Sequence, residues 1–198
     1  MIAMKTFTSL KFTLVFFCSL FVHSVLARQQ PNWYSGKVEL QSGEWLTGEL
    51  HFNTDLGLLE FSMDGVTNVL SAQKVASFYY YDEEANRMRT FIVESFAHRD
   101  RMVPTFFEVL VDGRIRLLGR EQVLKVPFHD EKQKKNVYYF QHPNGQIVKY
   151  KGRLRQIYKT LPNQQDEVSF FVNRVKWYRY DEEKPIVELF RYCNSLSE

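Results

Sequence analysis

The spacing of apolar residues divides the chain into two parts at Gly152. Over residues 33–151, apolar and polar side chains alternate with a period of two, which is the pattern of strands with one buried face. Three dipeptides suited to tight hairpin turns separate such runs: Asp64-Gly65, Asp112-Gly113 and Asn144-Gly145. The pattern predicts about eight or nine strands in an antiparallel meander that forms a curved sheet or a partial barrel.

After Gly152 the apolar period becomes 3.6. Three stretches carry apolar residues at positions i, i+3, i+4 and i+7, starting at Leu154, Val168 and Ile186. Helices this short are marginal alone, so we expect them to pack on each other or on the sheet. The sequence therefore predicts an α+β fold, with strands over about residues 33–151 and three short helices over about residues 153–195.

One charged stretch falls inside the strand region. Residues Asp130–Asn136 include Glu131, Lys132, Lys134 and Lys135. A run of this composition is typical of a solvated loop, so we expect a connection here and no linker between domains.

The first 27 residues have the features of a secretory signal. Lys5 and Lys11 precede an apolar stretch over Phe12–Val22, and Val25-Leu26-Ala27 resembles a cleavage site. The alternative is a membrane anchor, but the apolar stretch has 11 residues, far fewer than the ~20 that cross a bilayer. We expect a signal peptide over residues 1–27 and a single exported domain over residues 28–198, in the periplasm, outside the cell or in its envelope.

Composition and charge exclude several classes of protein. The chain is 44% hydrophobic and 25% charged, which argues against disorder, collagen, coiled coil and a disulfide scaffold. Removal of residues 1–27 takes two lysines and no acids from 26 basic and 23 acidic side chains, leaving a net charge of +1 over 171 residues. So small a charge gives no general attraction to nucleic acid or anionic lipid. Cys18 leaves with the signal, so Cys193 has no intrachain disulfide partner.

Several segments resemble exported, uncharacterised proteins of Bacteroidota. The likeness rests on Gly36–Leu40 with a turn at Gly43, on Leu46–Leu50, on Leu70–Phe78 before an aromatic strand, and on the tail Phe190–Asn194. It spans most of Trp33–Leu196, although Cys193 stands where those tails carry an aromatic residue. The resemblance implies export and a β-rich domain with a helical tail, and it carries no assigned chemistry.

Catalytic motifs lack their usual partners. Ser71-Ala72-Gln73-Lys74 has the Ser-x-x-Lys spacing of penicillin-recognising enzymes, but it lies between strand-like runs and has neither companion motif, so a serine in a turn is expected. Strand carboxylates could hydrolyse a glycoside if two of them faced each other. The candidates are Glu94, Glu108 and Asp112, and Glu108 has the pattern of a solvent-facing strand residue.

Metal and cofactor sites are not indicated either. His51, His98, His129 and His142 have no ligand spacing, which favours surface histidines. Cys193 is the i+7 member of an apolar helical stripe, which predicts a buried side chain and no nucleophile. We therefore expect neither a metal nor a cofactor.

Aromatic residues are the unusual feature of the chain. Phe78–Tyr81 and Tyr138–Phe140 place rings on both faces of their strands, because adjacent residues point in opposite directions. One set can fill the core. The other set is covered by the helices, which is the favoured interpretation, or forms a surface on which a sugar or a peptide stacks.

A second aromatic stretch interleaves rings with cations: Arg174, Lys176, Trp177, Tyr178, Arg179 and Tyr180. Such a stretch can bind nucleic acid, but export and the low net charge argue against that. More often it is a helix end and connection whose Trp packs inward while the Arg and Lys head groups reach solvent. The sequence thus predicts a non-catalytic binding or envelope-structural module, with an envelope hydrolase as the alternative. Its predicted contact residues are this stretch together with Tyr79 and Tyr81, and its predicted partner is a glycan, an anionic envelope component or another protein.

Overall fold

Ten strands form one antiparallel sheet. The computed structural model describes residues 32–125, 132–175 and 183–196. The strands are β1 (Tyr34–Leu40), β2 (Trp45–Asn53), β3 (Leu58–Met63), β4 (Val66–Ser71), β5 (Val75–Asp82), β6 (Arg87–His98), β7 (Arg101–Val111), β8 (Arg116–Lys125), β9 (Lys132–Gln141) and β10 (Ile147–Lys149).

Three helices follow the strands. They are α1 (Leu154–Thr160), α2 (Gln165–Arg174) and α3 (Glu183–Ser195), with a 3₁₀ turn over Pro162–Gln164. The α+β class is confirmed, and each apolar stripe forms the helix that its period predicted. Within the described ranges, no helix is long and apolar enough to cross a membrane.

The sheet consists of two meanders, β1–β4 and β5–β10, which are joined where β5 pairs with β1. Its strand order is β10-β9-β8-β7-β6-β5-β1-β2-β3-β4, so β5 returns to pair with β1 after the first four strands. All three predicted hairpins are present, as the β3–β4, β7–β8 and β9–β10 turns. Short strands such as β4 and β10 bring the number of strands to ten, slightly more than the sequence pattern predicted.

The N-terminal strands curl strongly. The Phe52 ring of β2 lies 5.2 Å from the Phe106 ring of β7, although four strand spacings, about 19 Å in a flat sheet, separate these strands. Gly36 and Gly48 pair at the bend, and a side chain at Gly36 would collide with the Tyr79 carbonyl oxygen. We call β1–β5 the N-terminal roll.

One face of the sheet carries two separate apolar cores. This inner face is the one that bears Val38, Phe78, Phe91 and Phe140, and the opposite face is the outer face. The roll encloses the first core, which consists of Val38, Leu50, Leu59, Phe61, Leu70, Ala72, Val75, Phe78, Tyr80, Phe91 and Phe106. Along β3 and β5 the buried side chains alternate, with Leu59 and Phe61 on one strand and Phe78 and Tyr80 on the other, as expected for strands with one buried face.

The helices cover the second core. Tyr138 and Phe140 of β9 are buried beneath them, and the Phe190 ring of α3 lies 6.0 Å from the Phe140 ring. Helical cover is thus confirmed for these two rings. It is wrong for the rings on the opposite face, Tyr79, Tyr81 and Tyr139, because the helices pack on the inner face only. Cys193 is also fully buried, as its place in the stripe predicted, and burial raises the pKa of its thiol to about 12.

The outer face has a smaller aromatic cluster. Tyr139 lies 5.1 Å from the Phe96 ring and 5.2 Å from the Phe107 ring, and all three point away from the helices. Tyr139 and Phe107 are nevertheless buried, because Leu118 and Val137 pack beside them. Adjacent rings in β9 are thus divided between two faces, as alternation requires.

The prediction of a loop over Asp130–Asn136 is wrong for Lys132–Asn136. Strand β9 begins at Lys132, and Lys132 to Asn136 pair with Lys125 to Glu121 of β8. The ammonium of Lys134 lies 2.8 Å from the carboxylate of Glu121. Cross-strand pairing therefore accommodates a lysine-rich segment that local composition marks as a loop.

Candidate functional site

A cleft of about 510 Å³ opens on the inner face, between the roll and the helical core. Its floor consists of strands β6 to β9, and its walls include Phe52 and Thr54 from the roll and Glu183 from α3. The volume lies in the range of small-molecule sites, about 300–1,000 Å³.

An arginine and a glutamate form the centre of the cleft. Nε of Arg89 donates to Oε1 of Glu108 at 3.0 Å, and Nη2 donates to Oε2 at 2.7 Å. The two side chains come from adjacent strands, β6 and β7. This two-pronged geometry matches a planar guanidinium to a planar carboxylate, so both side chains are held in fixed orientations.

A second arginine links Glu108 to the first turn of α3. Nη2 of Arg87 donates to Oε1 of Glu108 at 2.9 Å, and Nη1 of Arg87 lies 3.3 Å from Oε1 of Glu183. Arg87 and Arg89 share a face because they are two residues apart on β6. The sheet and α3 are thus joined across the mouth of the cleft by one side chain.

Asp82 completes the network at the end of β5. Its Oδ2 lies 3.4 Å from Nη1 of Arg89, and its Oδ1 accepts the N–H of Ala85 at 3.0 Å. The second bond closes the turn between β5 and β6, since an aspartate at this position caps a backbone N–H three residues on. Asp82 therefore fixes the turn and the guanidinium together.

Aromatic rings support Arg89 from below. Its Cζ lies 5.2 Å from the centre of the Phe91 ring and 5.9 Å from that of Tyr80. Burial is the largest single influence and lowers the pKa of Arg89, but the hydrogen bonds and charge of Glu108, with Tyr80 and Asp82, together outweigh it and raise this pKa above its ordinary value. Arg89 is consequently a permanent cation in the floor of the cleft.

The opposite end of the cleft has its own ion pair. Glu121 accepts a hydrogen bond from Oγ1 of Thr54 at 2.6 Å and pairs with Lys134 at 2.8 Å. Burial raises the pKa of Glu121, but its hydrogen bonds to Lys134 and Thr54 outweigh this and lower it overall. The Thr54 bond ties the roll to β8, so the two walls are connected through a polar contact.

Tyr80 gives the network a measurable pH signature. Burial raises its pKa to about 12, with Glu108 and Asp82 adding to the rise and Arg89 opposing it. In the unfolded chain the phenol ionises near pH ~10. The folded state therefore holds this proton over a range in which the unfolded state has lost it, and stability falls as pH rises through that range.

We expect the Tm of the wild-type protein to fall more steeply between about pH 10 and pH 12 than the Tm of Tyr80→Phe. The measurement is thermal unfolding by circular dichroism at a series of alkaline pH values. Tyr81→Phe is the matched control, because Tyr81 is exposed on the outer face of the same strand. Identical slopes for wild type and Tyr80→Phe would contradict the assignment.

The chain matches no protein-family model, no curated protein and no solved structure. The chemistry available to the cleft therefore follows from its own residues. Each of its four carboxylates (Asp82, Glu108, Glu121 and Glu183) is paired with a cation. Carboxylates held in this way act as fixed hydrogen-bond acceptors, and the arginines act as fixed donors. The arrangement is suited to orienting a bound molecule.

The three carboxylates proposed as hydrolytic groups do not converge. Glu108 lines the cleft, but Glu94 is on the outer face of β6, where it accepts from Gln141 at 3.0 Å. Asp112 is in the β7–β8 turn and pairs with Arg116 at 2.8 Å, and its pKa is lowered by that bond. The expectation that Glu108 faces solvent is wrong. Near Glu108 both faces of β7 are buried. The apolar neighbours of Glu108, Phe107 and Val109, belong to the outer aromatic cluster, so the alternation did not mark Glu108 as solvent-facing.

The predicted contact residues fall into two groups. Lys176, Trp177, Tyr178, Arg179 and Tyr180 lie outside the described residues, so their role stays a prediction. Arg174 ends α2 and is exposed. Tyr79 and Tyr81 lie on the outer face of β5, away from the cleft, with Tyr81 45% exposed. The structure does not bring Tyr79 and Tyr81 to the cleft.

The remaining motifs have structural positions. Ser71 ends β4, and its carbonyl accepts the N–H of Lys74 at 2.9 Å in the short turn to β5, as expected for a serine beside a strand. His51 is on the outer face of β2, and the His142 ring meets the Phe140 ring edge-on, with centres 4.8 Å apart. In the described part of the chain, no three His, Cys, Asp or Glu side chains are arranged to hold a metal.

Sequence reasoning missed Arg87, Arg89 and Asp82. The available signal was a charged residue continuing an apolar face: Asp82 follows Phe78 and Tyr80, and Arg89 precedes Phe91, each at a spacing of two. A charge on an inward face is rare unless it is paired. The partners come from other strands, so the pattern alone did not identify the pair.

Proposed function

We propose that this protein is an exported, non-catalytic binding module of the cell envelope, and that its cleft binds a net-neutral, sugar-sized polar ligand. Export is supported by the signal-like residues 1–27 and by the resemblance to exported Bacteroidota proteins. The ligand site is supported by the size and position of the cleft.

The observation that carries this proposal is the internal pairing of charge in the cleft. Arg89 is bonded to Glu108 and Asp82, and Arg87 to Glu108 and Glu183. A charged ligand would have to displace one of these partners and leave a half-buried charge unpaired, which is costly. A neutral ligand with hydroxyl groups can bond to the remaining lone pairs and N–H groups without breaking a pair.

The apolar walls favour a saccharide among neutral ligands. Rings of Phe52, Phe91, Phe106 and Tyr138 line the cleft beside the charged groups. A sugar presents C–H faces to rings and hydroxyl edges to paired acids and arginines. Ligand sites of this size commonly combine apolar walls with a few fixed polar groups.

The test is thermal shift and calorimetry with two disaccharides, cellobiose and N,N′-diacetylchitobiose, against citrate and spermidine as charged comparators. We expect a disaccharide to raise Tm by several degrees at saturation, since a ligand at about 100 times its Kd stabilises by about 2.7 kcal/mol. Citrate and spermidine should have no effect beyond that of matched ionic strength.

Two variants localise the effect. Ala85→Trp places a large ring at the mouth of the cleft, where Ala85 is exposed, and should abolish the shift. Trp45→Ala, on the opposite face of the sheet, should retain it. Binding of citrate or spermidine in preference to the sugars would refute the ligand class, and an unchanged shift in Ala85→Trp would refute the site.

A further inference from the structure

The outer face of the roll carries exposed rings on β2 and β5, the two strands that flank β1. Trp45 of β2 is 51% exposed and Tyr81 of β5 is 45% exposed, with Tyr79 half-buried between them. The centres of the Trp45 and Tyr79 rings are 6.2 Å apart, and the ring planes are tilted by 56°. We call Trp45, Tyr79 and Tyr81 the ring platform.

Charged and hydroxyl side chains separate the rings. Lys37 and Glu39 of β1 lie on the same face, because Lys37 is opposite Tyr79 and Glu39 is opposite Trp45. Glu39 accepts from Oγ of Ser77 at 2.8 Å, and on the far side of Lys37 Glu49 accepts from Oγ of Ser35 at 2.5 Å. Rings and hydrogen-bonding groups thus alternate across the face.

The polar groups are pre-positioned. The carboxylates of Glu39 and Glu49 each have one hydroxyl partner, so acceptor sites remain for a ligand. All of these residues lie within paired strands, which hold side chains more precisely than loops do. Little ordering is needed on binding, so the entropic cost of binding is small.

The charges on the ring platform indicate which class of partner it can bind. One lysine stands beside two glutamates, so the face would not attract the phosphates of a nucleic acid. Lys37 and Glu39 lie at the centre of the platform, whereas charged residues are depleted from the centres of protein interfaces. A neutral polymer with both stacking faces and hydroxyl groups fits these constraints.

We propose that the ring platform binds a neutral polysaccharide chain, with sugar rings stacked on Trp45 and Tyr79 and hydroxyl groups bonded to Glu39, Glu49 and Lys37. This site is independent of the cleft, because the two lie on opposite faces of the sheet. A module with both sites would hold a polymer on one face and a small saccharide on the other.

The test is affinity electrophoresis of the purified protein in native gels that contain hydroxyethylcellulose, laminarin or soluble starch. We expect at least one neutral polysaccharide to retard the wild-type protein. Trp45→Ala and Tyr79→Ala should each weaken binding by about tenfold or more, the effect of removing a central aromatic contact. Gels with heparin or polygalacturonate provide the anionic comparison.

Two controls keep the result interpretable. Phe170→Ala removes a ring from α2 that is even more exposed, at 66%, and should leave retardation unchanged, and so should the cleft variant Ala85→Trp. Unfolding curves of Trp45→Ala and Tyr79→Ala confirm that these variants fold. The proposal is overturned if no neutral polysaccharide retards the wild type, if only the anionic polymers do, or if Trp45→Ala binds as the wild type does. Loss of binding in Ala85→Trp alone would assign the polymer to the cleft instead.

Discussion

Replacing Glu108 by Gln should lower the free energy of unfolding by about 2–4 kcal/mol. Glu108 is the common partner of Arg87 and Arg89, and its side chain is only 11% exposed. Removal of its charge leaves two guanidinium groups without their main counter-ion, and Asp82 and Glu183 can compensate only in part. The figure is below that of a fully buried pair because the two arginines retain some contact with water.

Chemical denaturation of Glu108→Gln and wild type measures this loss, and Glu83→Gln is the control. Glu83 lies in the exposed turn that follows β5, where the same change should alter stability by less than about 0.5 kcal/mol. In thermal unfolding, a chain of this size should lose about 5–15 °C. Equal stability of Glu108→Gln and wild type would show that the network does not stabilise the fold.

The second large effect is expected at Asn194, near the end of α3. Its Oδ1 accepts the N–H of Ile115 at 2.9 Å, and its Nδ2 donates to the carbonyl of Ile115 at 3.0 Å. Ile115 is 2% exposed, so both backbone groups would lose their partner in a buried position. Asn194→Ala should therefore lower stability by about 2–3 kcal/mol.

A glycine beside Asn194 allows a sharper test. Gly113 has φ of +147°, and a Cβ there would lie 2.5 Å from Nδ2 of Asn194. Gly113→Ala should destabilise the protein through both strain and collision, and the collision should vanish in the double variant with Asn194→Ala. The double variant is thus expected to be more stable than the sum of the single effects predicts. Asn173→Ala, on the exposed surface of α2, is the control.

Elements with local patterns could be predicted from the sequence. The three apolar stripes from Leu154, Val168 and Ile186 formed helices, because each stripe needs only one partner surface. The hairpin at Asp64-Gly65 also formed, since its turn is encoded by adjacent residues. Features that depend on one short segment are accessible to pattern analysis.

The cleft could not be predicted in the same way. Glu108 meets Arg89 only because β6 and β7 pair in one register, and the walls come from the roll and from α3. The Ser71–Lys74 turn carries no sign that β5 returns to β1, which depends on the curl of the whole roll. The contact of Asn194 with Ile115 could not be predicted either, since the two residues are 79 positions apart in the sequence.

The position of α3 after all the strands also affects when the second core can assemble during synthesis. A chain emerges from the ribosome N-terminus first, and domains tend to form in that order. The roll has all its strands once β5 has emerged, whereas the second core lacks its cover until α3 has emerged. Phe140 and Leu117 therefore stay accessible until α3 has been made, and a ribosome-bound chain truncated before Glu183 would expose that surface to chaperones.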